Sequence, residues 1–252
     1  VRSRRQRQMC IRDRSNHDKV RHATRFGYPT GANTDNGIGA SDPQPDRKIG
    51  LTRALSATAF LAGLPGSIYL YNGEELGLPD ATKLPDEARQ DPTWQRSGFR
   101  VRGRDGCRVP LPWSDEPGSN FGFSPAGASP AWLPQPDDWG ELSVKAQESD
   151  PNSPLNFYRK MLAVRRDLGL GMGESTWLDS DPEVLALQVT GANGTRVVVV
   201  TNLGIGVRPL PEIAVADSAK IVLATPGIGS SLTENSSRED NIAPGQTLWI
   251  EI

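Results

Sequence analysis

The segment from Asp46 to Tyr71 limits the fold most tightly, because it contains a helix pattern, a tight turn and a strand pattern in immediate succession. Leu51, Ala54, Leu55, Thr58, Ala59 and Ala62 recur at helical spacing, and Asp46 after Pro45 is suited to cap the start. The spacing predicts a helix over 46–62 packed on one face. Gly63-Leu64-Pro65-Gly66 ends it, and the nearly unbroken apolar and aromatic run Ser67-Ile68-Tyr69-Leu70-Tyr71 reads as a parallel strand buried on both faces. Helix, turn and buried strand together are the grammar of an α/β fold.

A second helix is expected from Ser153-Pro154, a cap followed by a first-turn proline, through Leu155, Tyr158, Met161, Leu162 and Leu168, with Gly169, Gly171 and Gly173 breaking it. From about residue 174 the period changes to that of strands. Val184 to Val189 and Arg196 to Val200 flank Asn193-Gly194, a hairpin turn signal, and Lys220 to Ala224 and Thr247 to Ile252 add two more runs. The predicted organisation is an α/β body over 16–173 followed by a small all-β domain over 174–252. Residues 72–150 are rich in proline and aromatic side chains without periodicity, and read as a long ordered loop region of the kind that carries function.

Composition removes several classes of function. The 252 residues carry a net charge of −2, which argues against a nucleic-acid partner, and no run of about 18 apolar residues exists to cross a membrane as a helix. Two cysteines, Cys10 and Cys107, make neither a disulfide framework nor a metal constellation, and suit a reducing, cytoplasmic compartment. No cofactor is expected. The arginine-rich head, Val1 to Ser15, has the composition of a basic arm or a presequence. Its run Met9-Cys10-Ile11-Arg12-Asp13-Arg14-Ser15 instead looks like translated sequencing adapter, so the chain is expected to be the tail of a longer protein.

Directly after that head stand Asn16-His17-Asp18, then Arg21, His22 and Arg25-Phe26-Gly27. A carboxylate, an imidazole and a guanidinium this close can bind the hydroxyls of a sugar ring and hold negative charge near a developing cation. Enzymes built on carboxylates need at least two acids in defined roles, and almost nothing precedes Asp18 to supply the other.

Three ordered motifs share one resemblance: Asn16-His17-Asp18, the segment Gly63 to Gly77, and Arg104-Asp105-Gly106-Cys107-Arg108-Val109-Pro110-Leu111-Pro112-Trp113. They closely resemble the C-terminal half of an α-glucosidase or oligo-1,6-glucosidase of the α-amylase superfamily, glycoside hydrolase family 13. The resemblance runs from Asn16 to the chain end. It implies the C-terminal part of a (β/α)8 TIM barrel followed by a small all-β sandwich domain, with Asn16-His17-Asp18 at the end of the seventh strand and Ser67 to Tyr71 as the eighth. Asp18 would be the third catalytic carboxylate, stabilising the oxocarbenium-like transition state. His17 would hydrogen-bond the same sugar, and Arg108 would reach the glucose at the non-reducing end. The aspartate nucleophile and glutamate acid of such enzymes precede the seventh-strand motif, so the resemblance implies that this chain alone is inactive and marginally stable.

Other readings stand beside this one. The adjacent pair Glu74 and Glu75 would point to opposite sides of a strand end, so a structural role is favoured over catalysis. The Arg104 to Arg108 stretch could be a loop ion pair, and His22 a satisfied buried polar group. Trp94, Trp113, Trp132 and Trp139 could stack on sugars, although most are expected to anchor loops. At the level of the protein, the alternatives are a trehalose synthase or sucrose isomerase of the same superfamily, a non-catalytic transporter heavy subunit, which tends to lose the Asn-His-Asp cluster, and a carbohydrate-binding role for the β domain through Trp177 and Trp249.

Overall fold

The computed structural model describes residues 15–29, 31–116, 118–229 and 240–252. The arginine-rich head up to residue 14 therefore lies outside the described residues. Two compact units emerge, one built from Thr52–Tyr69 with Phe157–Ile252, the other from the stretch ending at Leu51 with Leu70–Asn156.

After the short helix α1 (His22–Arg25), the main helix α2 runs over Arg47–Gly63. Asp46 caps it as expected, its Oδ1 accepting the Ile49 amide at 2.9 Å. Burial goes further than one face: positions 52, 54–56, 58–60 and 62 are all buried. Alanine, serine and threonine at many of these positions let other chain segments approach closely on most sides. At Gly50 the approach is closest, since an added Cβ would lie 2.1 Å from the Ala23 carbonyl oxygen. Gly50→Ala is accordingly expected to destabilise by about 1–3 kcal/mol, read as a lower urea midpoint at unchanged slope.

One side chain serves the last turn of α2 and the turn that follows it. The Arg165 guanidinium donates to the carbonyl oxygens of Ala62, Leu64 and Gly66, the last two at 2.8 and 2.5 Å, so that carbonyls a helix end leaves without partners receive a charged donor. Beyond it, Ser67 to Tyr71 is not a strand, and Tyr69 and Leu70 are exposed. This corrects the expected eighth strand. A parallel strand exists only through ladders to its neighbours, and no strand pairs with 67–71 among the described residues.

The long stretch that follows is ordered by its own core. Leu76, Leu78, Ala81, Leu84, Val109, Leu133, Trp139 and Leu155 form one buried cluster. The stretch also contains the short helices α3 (Pro92–Arg96) and α4 (Val144–Glu148), the latter packing Val144 against the cluster. Gln147 of α4 joins three segments, donating to the carbonyls of Leu76 and Leu142, both at 2.9 Å, and accepting the Leu155 amide at 3.1 Å. Helix α5 (Pro154–Asp167) begins where Ser153 and Pro154 place it and gives way to Gly169 at φ +66°.

From Glu174 onward the chain is antiparallel. Strands β1 (Glu174–Trp177), β2 (Val184–Thr190), β3 (Arg196–Asn202), β5 (Lys220–Ala224) and β7 (Thr247–Glu251) form a sheet in the order β1-β2-β3-β7-β5, while β4 (Arg208–Pro209) pairs with β6 (Asn241–Ile242). Residues 191–195 close the β2–β3 hairpin with Gly194 at φ +85°, in register Thr190↔Arg196. β3 is central, and its residues from Val197 to Asn202 are all buried, which is why its valines run without alternation. Val184, Ala186, Val198, Val200, Leu248 and Ile250 share one core cluster with Ala214 and Ile242. On β7, the fully buried Trp249 donates its indole N–H to the Ala59 carbonyl at 3.1 Å.

Candidate active site

The site is assembled in the unit that holds Asn16 to Leu51 and Leu70 to Asn156. Asn16-His17-Asp18 forms a turn in which the Asn16 side chain accepts the Asp18 amide at 2.9 Å. This presents Asp18, with its side chain 49% exposed, beside His17, whose Nε2 lies 3.4 Å from Asp18 Oδ2 and whose ring is 70% exposed. The other oxygen, Oδ1, is taken by two guanidinium groups: Arg104 Nη1 at 2.6 Å and Arg108 Nη2 at 3.2 Å. Arg108 also donates from Nε to the His17 carbonyl at 2.8 Å, fixing the turn itself.

Electrostatics follow from these contacts. Partial desolvation pulls the Asp18 carboxyl upward, but the Arg104 hydrogen bond and the charges of His17, Arg104 and Arg108 outweigh it, so the group lies below the ordinary carboxylate range. Asp18 is thus ionised at neutral pH. Asp91 is held down further, first by its hydrogen bond to Arg104, against burial, and with help from Thr93. Arg104 is correspondingly raised, chiefly by Asp91.

The sequence-predicted residues therefore come together: His17, Asp18 and Arg108 are mutually in contact. Two participants were not legible. Arg104 stood inside a recognised motif and reads as half of a loop ion pair; its partners prove to be Asp18 and Asp91. Asp91 carried no signal beyond an Asp-Pro step typical of a helix start.

The remaining candidates have structural surroundings. His22 is buried, with Nδ1 2.8 Å from Ser15 Oγ and its ring edge-on to Phe26. Arg21 is buried under Tyr71, its guanidinium donating to the carbonyls of Asn72 and Cys107 at 2.7 and 3.0 Å, while its amide donates to Asp80 at 2.7 Å. Glu75 accepts the Gly73 amide at 2.9 Å; Glu74 is buried 3.7 Å from His22 Nδ1. Burial lifts the Glu74 carboxyl to about 7, Asp80 to about 6 and the Cys107 thiol to about 12, so that thiol is no nucleophile. Of the four tryptophans named for stacking, Trp139 is fully buried and Trp94 packs against Phe99, whereas Trp113 and Trp132 are exposed. Among the described residues no group of three or more His, Cys, Asp or Glu side chains could hold a metal ion, and no helix is long and apolar enough to cross a membrane.

The half-exposed Asp18 carboxylate, flanked by an imidazole and two arginines, thus sits on loops among helices that precede an antiparallel β region. The chain belongs to the alpha-amylase family, matching its catalytic domain over residues 6–169. It is 35% identical over 184 residues to the trehalose synthase/amylase TreS of Mycobacterium tuberculosis, covering 65% of this chain and 28% of that protein. It is 33% identical over 172 residues to a probable alpha-glucosidase of Rhizobium meliloti, covering 68% of this chain and 27% of that one. Among solved structures, an alpha-glucosyl transfer enzyme, XgtA, superposes with a TM-score of 0.65 at 29% identity, over 94% of this chain and 39% of its own. The chain thus spans just over a quarter of the length of these two curated relatives. Its fold is that of part of a (β/α)8 barrel with an antiparallel β region after it.

Proposed function

We propose that this chain is the C-terminal part of a retaining, exo-acting α-glucosidase that cleaves α-1,4 or α-1,6 bonds of short glucosides. Asp18 grips two sugar hydroxyls and stabilises the oxocarbenium-like state, His17 hydrogen-bonds the same ring, and Arg108 contacts the glucose at the non-reducing end. The observation that carries this is the division of labour at Asp18: Oδ1 accepts from both arginines while Oδ2 lies beside His17, on a half-exposed side chain. A carboxylate held ionised in that way strengthens its grip as positive charge grows on the ring. In this reading residues 16–173 belong to the catalytic barrel and 174–252 to a β domain, supported by the change to antiparallel strands at Glu174; the unit formed by Thr52–Tyr69 with Phe157–Ile252 crosses that boundary. A cytoplasmic location is supported by the low cysteine content.

The 252 residues hold the stabilising carboxylate without the nucleophile and acid of such enzymes, and are expected not to turn over. Release of glucose from maltose or isomaltose by the purified chain would contradict this. Sugar recognition is expected to survive in weaker form. 1-Deoxynojirimycin, a glucose-shaped cation, should bind by calorimetry, and Asp18→Asn should weaken it about 10- to 100-fold, the value of one or two charge-assisted hydrogen bonds. Equal binding by both forms would sink the assignment of Asp18.

A second reading has its own support: one relative is a trehalose synthase/amylase and one solved neighbour a glucosyl transfer enzyme. A synthase or isomerase passes the glucosyl group to a sugar where a hydrolase passes it to water. Product analysis of the longer enzyme on maltose separates them, trehalose marking the synthase and glucose alone the hydrolase. The intact Asn16-His17-Asp18 cluster weighs against a non-catalytic transporter subunit.

A further inference from the structure

Asp18 is not held by its own turn alone. Arg104, whose Nη1 donates to Asp18 Oδ1 at 2.6 Å, is gripped at backbone and side chain by one buried acid. Asp91 Oδ2 accepts the Arg104 amide at 2.9 Å and Nε at 2.6 Å, and Oδ1 accepts Nη2 at 3.2 Å. Asp91 has no side-chain exposure, against 40% for Arg104. It is fixed in its turn: Asp105 Oδ2 accepts the amides of Gln90 and Asp91 at 2.8 and 2.9 Å, and Asp91 Oδ1 accepts the Thr93 amide at 2.9 Å at the start of α3.

The backbone is shaped around this carboxylate. Gly103 adopts φ +72°, and a Cβ there would stand 2.7 Å from Asp91 Cγ, so the chain passes directly against the acid just before Arg104. A guanidinium is a planar fork and can serve two anions on different edges, as an ammonium on a flexible stem cannot. Here the Nε and Nη2 edge faces Asp91 and Nη1 faces Asp18. Withdrawing Arg104 would strand a buried carboxylate, which is costly. The guanidinium therefore stays in place when the sugar site is empty.

We propose that Asp91 is the positioning residue of the sugar site: acting through Arg104, it fixes Oδ1 of Asp18 and keeps that carboxylate charged, so that Oδ2 beside His17 is free to meet hydroxyls. The last step rests on the reading of Asp18 as a sugar ligand, whereas the clamp is measurable without any sugar. The charged and titratable groups facing Asp18 are His17, Arg104 and Arg108, with Asp91 behind both arginines at 2.6 Å from Arg104 and 3.8 Å from Arg108.

The test is a carbon-13 carboxyl titration of Asp18 by NMR in the 252-residue chain and in Asp91→Asn, Arg104→Gln and Arg104→Lys. Removing a neighbouring anion would by itself move the Asp18 midpoint to lower pH. Loss of the clamp moves it to higher pH, so an upward displacement in Asp91→Asn is specific to the relay. Arg104→Gln should move it up at least as far, and Arg104→Lys, which keeps the charge without the fork, should recover only part of the difference. A downward or absent displacement in a folded Asp91→Asn, or none in Arg104→Gln, overturns the proposal. Asparagine caps helices as well as aspartate does, so α3 should survive; if Asp91→Asn nonetheless unfolds, the two variants at the part-exposed Arg104 decide. 1-Deoxynojirimycin separates the two readings. An upward displacement with no binding by the unaltered chain refutes the sugar role and leaves the clamp standing, and binding without displacement does the reverse. With both in place, Asp91→Asn weakens iminosugar binding about fivefold, close to 1 kcal/mol.

Discussion

Glu74→Gln is expected to stabilise the protein by about 2–3 kcal/mol at pH 8 and by only a few tenths at pH 4. Glu74 is buried, and one of its oxygens, Oε1, has no hydrogen-bond partner among the described residues. Desolvation raises its carboxyl from 4.5 to about 7, outweighing a Tyr71 backbone hydrogen bond, a Ser15 hydrogen bond and the charge of Arg21. The sign follows from proton binding. Between 4.5 and about 7 the folded chain keeps the proton that the unfolded chain has released, so stability falls as pH rises through that window. Glutamine is close to the protonated acid in shape and never ionises, which removes the penalty where it is largest. Urea unfolding of both forms at pH 4, 6 and 8 gives the comparison, and a difference independent of pH would show that Glu74 does not titrate in that range. Asp80, lifted to about 6 mainly by burial, adds a slope of the same sign.

Trp249→Ala is expected to cost about 3–5 kcal/mol, enough to unfold a domain of ordinary stability. The indole is fully buried, pairs in register with Val199 across β3 and β7, and sits where a Cβ on Gly63 would meet both Val199 and the indole nitrogen, at 2.7 and 3.0 Å. Removing it opens a large cavity and takes the indole donor from the Ala59 carbonyl. Trp249→Phe keeps most of the apolar volume and loses the hydrogen bond, and should cost a smaller part, about 1–2 kcal/mol. Thermal unfolding of the two variants separates packing from hydrogen bonding. It also bears on a sugar-platform role for this residue, which full burial already opposes.

What could be read from the sequence was whatever its own neighbourhood dictates. Asp46 and Ser153-Pro154 mark helix starts because a cap acts within three residues, and the valines of β3 declare a central strand because burial on both faces removes alternation. Ser67 to Tyr71 misled for the opposite reason. Its composition suits a buried strand, but a strand is a property of its neighbours, and none pairs with it among the described residues. The short β1 is exposed along its length and so lacks the hydrophobic period by which strands are recognised. In the site, His17, Asp18 and Arg108 stood within motifs, while Asp91 acts through Arg104, 13 residues further on and beyond α3, a distance over which spacing carries no information.

The partners that complete α2 come late in the chain. Arg165, which donates to the Ala62 carbonyl in its last turn, is about 100 residues further on, and Trp249, which donates to Ala59, is 190 residues further on. At ribosomal speeds of about 5–20 residues per second, the nascent helix waits roughly 10–40 s for the indole that seals it. During that interval its alanine-rich surface and open C-terminal carbonyls are available to chaperones, proteases and other nascent chains. Truncation a few residues before β7 would therefore remove more than an interior strand of the sheet: it would leave a helix made early in synthesis permanently unfinished.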